Sequence, residues 1–129
     1  MATPIPYTSL PGFVGVSLEE SYVLEIQATP GRLSITLDLM IGWAHPAHRD
    51  PLAGEVACFR KAVIEFSAVR ELTWSRQGVV RPAVDASGER DWGGIDELRQ
   101  LGAVHHLEGD WGAIEVVCQE QPTIRIIGT

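Results

Sequence analysis

At 129 residues the chain has the length of a single domain with one continuous core, and a second domain is not expected. Ten lysine and arginine residues against seventeen aspartates and glutamates leave a net charge of -7, with Lys61 the one lysine. That balance argues against a nucleic-acid partner, because Arg60, Lys61, Arg70, Arg76 and Arg81 are interleaved with Glu65, Glu71 and apolar residues instead of forming a phosphate-binding patch.

Residues 1–20 carry Pro4, Pro6 and Pro11 and little periodicity, which predicts an extended arm that lies over the domain or is partly mobile. The first basic residue is Arg32, so a secretory leader is not expected. No apolar run approaches the roughly 20 residues that span a bilayer. Together these features predict a cytoplasmic protein with no membrane partner.

Order is expected from Tyr22 onward. Tyr22, Leu24 and Ile26 alternate with Val23, Glu25 and Gln27, and Leu33, Ile35, Leu37, Leu39 and Ile41 alternate with Ser34, Thr36, Asp38 and Met40. A period of two residues is the signature of strands. Between the two runs stands Thr29-Pro30-Gly31, where proline presets one central φ of a turn and glycine accepts a positive φ at the next, so a hairpin follows. Residues 42–57, with two prolines and two glycines, read as a long loop.

Cys58 to Phe66 reads as a third strand with Ala62, Ile64 and Phe66 on its inner face, and Val69, Leu72 and Trp74 suggest a fourth. Residues 75–94 lose the pattern and read as a second long loop. Ile95, Leu98 and Leu101 share one helical face ahead of Gly102, which predicts one short helix over 95–101. Val104 to Glu108 and Ala113 to Cys118 form another strand pair around Gly109-Asp110-Trp111-Gly112, and Ile124 and Ile126 mark a last strand. The fold class is therefore mainly β, with about seven antiparallel strands in a sandwich or a partly closed barrel. Cys58 and Cys118 lie among apolar neighbours and are expected to act as small buried hydrophobes in a reducing compartment.

The succession Ile64-x-Phe66-x-x-Val69-x-x-Leu72, then Ile95, then Leu107-Glu108-Gly109-x-x-Gly112-x-Ile114 and a closing Ile124 resembles small uncharacterised bacterial β-domain families, some of them grouped with toxin-immunity proteins. The resemblance covers roughly the second half of the chain. It implies a non-enzymatic β-domain that binds a partner protein, and it identifies no functional residue.

The densest polar stretch runs from Asp85 through Glu89 and Asp91 to Asp96 and Glu97. An EF-hand needs glycine at its sixth position and a bidentate glutamate at its twelfth. Counted from Asp85, the glycine comes too early and the twelfth residue is Asp96, so only an irregular cation site remains open. His45 and His48, followed by Asp50, are the best transition-metal candidates, since two imidazoles and a carboxylate can form a facial triad. His105 and His106 are adjacent in a strand and must point to opposite faces; one of them is expected to be half-buried and hydrogen-bonded. No nucleophile elbow, Walker loop or dinucleotide fingerprint is present, and no cofactor is implied.

Of the four tryptophans, Trp43, Trp92 and Trp111 fall in loops or turns and Trp74 near a strand end. Loop indoles often anchor interfaces, and acidic neighbours suit a basic partner. The first functional expectation is therefore a protein-binding module that uses Asp85, Glu89, Asp91, Trp92, Asp110 and Trp111. A second is a small-ligand or metal-binding pocket, or an enzyme, in a barrel mouth with His45, His48 and one of His105 and His106. The third is a homodimer formed through an edge strand holding Ile124 to Ile127.

Overall fold

The computed structural model describes residues 3–55, 57–77, 83–84 and 90–128. Strands β1 (Ile5–Pro6), β2 (Val16–Thr29), β3 (Arg32–Ile41), β4 (Cys58–Ser67) and β5 (Glu71–Ser75) come first. They are followed by β6 (Ala83–Val84), β7 (Arg90–Asp91), β8 (Glu97–Leu101), β9 (Val104–Gly109), β10 (Gly112–Val117) and β11 (Thr123–Ile126). One sheet has the order β11-β4-β3-β2 and a second the order β1-β8-β9-β10-β5, while β6 and β7 form a small ribbon. All pairings are antiparallel. The fold is a β sandwich and not a closed barrel.

Side-chain alternation builds the core. On β3, Leu33, Ile35, Leu37, Leu39 and Ile41 all turn inward and are buried, and β4 opposes them with Cys58, Ala62, Ile64 and Phe66. The other layer answers with Leu98, Leu107, Ile114 and Val116. Removing these apolar surfaces from water is the dominant favourable term in holding the layers together. The Pro30-Gly31 turn closes the β2–β3 hairpin, with Gly31 at φ +81° where a side chain would strain the backbone.

Three elements differ from the expectation. The segment predicted to be helical, 95–101, is instead a buried lead-in followed by β8. Strand β8 pairs with both β9 and β1, and Leu101 is 45% exposed instead of completing an apolar helical stripe. A helix of seven residues is marginal by itself, so two flanking strands offering backbone partners decide the outcome. The sole helical piece among the described residues is the 3-10 turn Tyr7–Ser9.

Strand β2 also departs from simple alternation. Register shifts lie between Ser17 and Tyr22 and again between Val23 and Glu25, so Val23 is wholly buried while Tyr22 is 46% exposed. A bulge adds a residue to one strand and moves the following side chains to the other face. Within the predicted arm, Tyr7, Leu10 and Phe13 are buried and β2 begins at Val16, ahead of Tyr22. Tyr7 donates its hydroxyl to Glu19 and accepts the Leu18 N–H, and burial followed by the Glu19 contact pushes its pKa up to about 12.

A short strap joins the two layers and positions the site described next. The Trp92 N–H donates to Val23 O and the Val23 N–H to Gly93 O, both at 2.8 Å, on the β2 edge. Three residues after Gly93 the Asp96 N–H donates to Glu108 O of β9, again at 2.8 Å. Gly94 lies where the strap crosses, and a Cβ there would stand 2.5 Å from the Glu19 carbonyl oxygen. Only a residue without a side chain lets the backbone pass so close.

Candidate functional site

At the end of the sandwich near the strap, a cleft of about 320 Å³ is lined by Trp74, Trp92 and Trp111 together with Leu24, Ile26, Glu25 and Gln77. Its size falls at the lower end of the range typical of small-molecule sites, roughly 300–1,000 Å³. The β2 bulge brings Leu24 and Ile26 to the cleft, β5 supplies Trp74, the strap supplies Trp92, and the two-residue turn between β9 and β10 supplies Trp111.

Two of the indoles are locked by their polar edges. Trp111 Nε1–H donates to Gly94 O and Trp74 Nε1–H donates to Trp111 O, each at 3.1 Å. These bonds satisfy two N–H groups that would otherwise be costly to bury, and they tie the turn to the strap on one side and to β5 on the other. Apolar ring surface is what remains for an occupant. Glu25 is the one ionisable group among the described lining residues, so these residues offer apolar contact and charge recognition.

A second cleft, of about 530 Å³, is lined by Arg76, Asp96, Glu97, Glu108, Gly109, Asp110 and Gly112. The Asp110–Trp111 turn contributes to both hollows. Arg76 pairs with Glu108 at 2.8 Å, and this contact, followed by that with His106, holds the Glu108 carboxyl below its usual range.

The expected partner-binding residues separate on this framework. Trp92 and Trp111 meet in the aromatic cleft and Asp110 lies exposed in the acidic one. Trp111 is only 3% exposed, so it shapes the cleft wall and does not project as an anchor. Asp91 turns back on its own backbone, accepting the Gly93 N–H at 3.0 Å. Asp85 and Glu89 lie outside the described residues. Trp43, at 86% exposure, is the indole that faces solvent.

His45, His48 and Asp50 do not converge as a metal triad. His45 Nδ1 accepts the Ala47 N–H at 2.9 Å, which commits the ring to its own loop, and Asp50 is exposed. Among the described residues, the one group of three His, Cys, Asp or Glu donors lying within 4.8 Å of one another is Glu97, His106 and Glu108. His105 and His106 do point to opposite faces, and His106 is the half-buried, hydrogen-bonded one, with Nε2 3.3 Å from Glu108 Oε2. His105 is wholly buried, packs edge-on against Phe66 at 5.3 Å, and neither ring nitrogen has a hydrogen-bond partner. Desolvation lowers its pKa, opposed in part by the nearby Cys118 backbone.

Cys58 and Cys118 are buried and unpaired, and burial pushes the Cys118 thiol up. Sequence reasoning missed Leu24, Glu25, Ile26 and Gln77 as cleft residues, because they lie far along the chain from Trp92 and Trp111. The usable signal was the placement of three tryptophans at strand ends and turns. No helix among the described residues is long and apolar enough to cross a membrane. No family model matches the chain, and neither does any curated protein or solved structure.

Proposed function

We propose that the chain is a non-catalytic binding module that receives a basic, partly apolar group of a partner protein at the strapped end of the sandwich, in the cytoplasm. The observation that carries this reading is the cleft of Trp74, Trp92 and Trp111 with Glu25 on its wall, beside a hollow bearing Asp96, Glu97, Glu108 and Asp110. An arginine or lysine side chain matches both halves, since its stem packs on indole and its cation is attracted by ring faces and carboxylates. The net charge of -7 supports steering of such a partner. An immunity-type role, as the sequence resemblance implies, is one form of this activity.

The test is a tryptophan-fluorescence titration of the full chain with an arginine-rich peptide, its citrulline counterpart, and a neutral aromatic of similar size. The reading expects salt-sensitive binding of the arginine peptide, weakened several-fold in Trp92→Ala and in Glu25→Gln. Equal binding of the citrulline peptide would remove the charge argument, and binding of the neutral aromatic alone would transfer the cleft to a small-ligand function. No response to any probe would sink the assignment.

Self-association is a second reading, supported by the position of β11 at a sheet edge and by Ile127, which is 47% exposed beside it. Its measure is solution mass across a concentration series, where a constant monomer mass would reject it.

A further inference from the structure

The outer face of the five-stranded sheet holds a donor set that the aromatic cleft does not use. Glu97 on β8 and Glu108 on β9 are direct cross-strand partners, and His106 lies two residues before Glu108 on the same face. One donor atom from each of the three lies within 4.8 Å of the other two. We propose that Glu97, His106 and Glu108 form a binding site for a zinc-class divalent transition ion, with water from the adjoining acidic cleft completing the coordination.

Four observations bear on this. First, the donors stand on paired strands and not on a loop, so their spacing is held by the β8–β9 ladder. Second, like charges placed directly opposite in a sheet repel, and Glu97 and Glu108 occupy such a pair. Third, His106 directs Nε2 toward Glu108 at 3.3 Å, while Glu115 Oε1 lies 3.5 Å from Nδ1 on the far side of the ring. At that distance Glu115 does not hydrogen-bond Nδ1; it stands within reach of the outer-shell position from which a carboxylate fixes the tautomer of a metal-bound histidine, without occupying it. Fourth, Glu97 and Glu108 both line the cleft of about 530 Å³, which leaves room for water ligands.

The arginines now paired with these carboxylates do not block the site. Arg99 contacts Glu97 and Arg76 contacts Glu108, with the two guanidinium side chains 41% and 59% exposed. Pairs this exposed are weak and can swing into solvent when a divalent ion replaces them. One nitrogen and two oxygen donors favour a borderline ion such as zinc over magnesium or calcium, which prefer all-oxygen shells. None of the three donors lines the tryptophan cleft, whereas Glu97 and Glu108 also line the acidic hollow of the proposed partner site; the metal is therefore titrated without a partner, and its result is read apart from the Trp92→Ala and Glu25→Gln peptide titrations.

The experiment is isothermal titration of Zn²⁺ into the full, chelator-stripped chain at neutral pH, with Mg²⁺ as the comparison ion. One saturable equivalent of Zn²⁺ is expected, with no comparable Mg²⁺ binding. His106→Ala and Glu97→Gln should each lower the affinity at least about tenfold, and Arg76→Ala should raise it by releasing Glu108. The His45→Ala, His48→Ala double variant should keep wild-type binding. Circular dichroism checks that each variant is folded, and Glu108→Gln serves if His106→Ala is not. Absence of a saturable equivalent would overturn the proposal. So would wild-type affinity in a folded His106→Ala or Glu108→Gln variant, or loss of binding in the His45, His48 double variant.

Discussion

The two faces of strand β9 place adjacent histidines in different solvents. His105 lies in the dry interior between Gln100 and Val116 of the neighbouring strands, against the ring of Phe66, whereas His106 sits outside among Glu97, Glu108 and Glu115. One peptide unit separates a ring whose charge the interior resists from a ring on the outer face, where its cross-strand neighbours are Glu115 and Arg99. The same sheet therefore has an inner face whose energetics follow area and packing and an outer face whose energetics follow weak, screened charge.

Substitutions can break that contrast, and the largest effect should come from the inner face. Leu107→Ala on β9 removes a fully buried side chain and is expected to cost about 2–5 kcal/mol in urea denaturation. A loss below about 1 kcal/mol would mean that the layers are not packed as described. Gly94→Ala comes next, because the added methyl meets the Glu19 and Ser21 carbonyls of the β2 edge. It should destabilise by about 1–3 kcal/mol and alter tryptophan emission from the cleft, as the strap is pushed off β2.

Acid titration sharpens the comparison between the histidines. The folded protein lowers the pKa of His105 below its unfolded value, so the unfolded chain binds the proton more readily. Stability that is complete above about pH 6.5 should decline as pH falls below it, until the folded-state pKa is passed. His105→Leu should remove that part of the slope and, by eliminating an unpartnered buried ring, raise stability on the order of 1 kcal/mol. Thermal melts between pH 5 and pH 8 read this directly; an unchanged pH dependence in His105→Leu would assign the slope elsewhere.

The smallest effect belongs to the outer face. Arg76→Ala breaks the 2.8 Å pair with Glu108, yet both side chains reach solvent, and the change should move the denaturation midpoint little. Added salt should reduce even that difference. A larger cost would show that the outer face is more tightly organised than its exposure implies.

Much of this architecture was legible because local signals and burial agreed. The five inward side chains of β3 read directly from alternation, and so did Ala62, Ile64 and Phe66 of β4. Pro30-Gly31 and the glycines flanking Asp110-Trp111 marked both tight turns. The segment 95–101 misled because Ile95 and Leu98 fit a helical spacing equally well, and only β1 and β9 on either side make it a strand. Neighbouring histidines in a loop suggested a metal pair, whereas the donors that converge are two residues apart on β9 and across the ladder on β8.

By itself, then, the amino-acid order determined the strand-forming runs, the turns, the inward residues of the central hairpins and the acidic charge, since each depends on near neighbours and side-chain type. Tertiary structure alone decided that Leu24 and Ile26 meet three distant tryptophans, that the 92–96 strap crosses between the layers, and that Glu97 faces Glu108. Those contacts depend on which strands pair and where β2 bulges. Such choices are settled by the burial of the whole core and the satisfaction of its backbone hydrogen bonds, which no short window of residues contains.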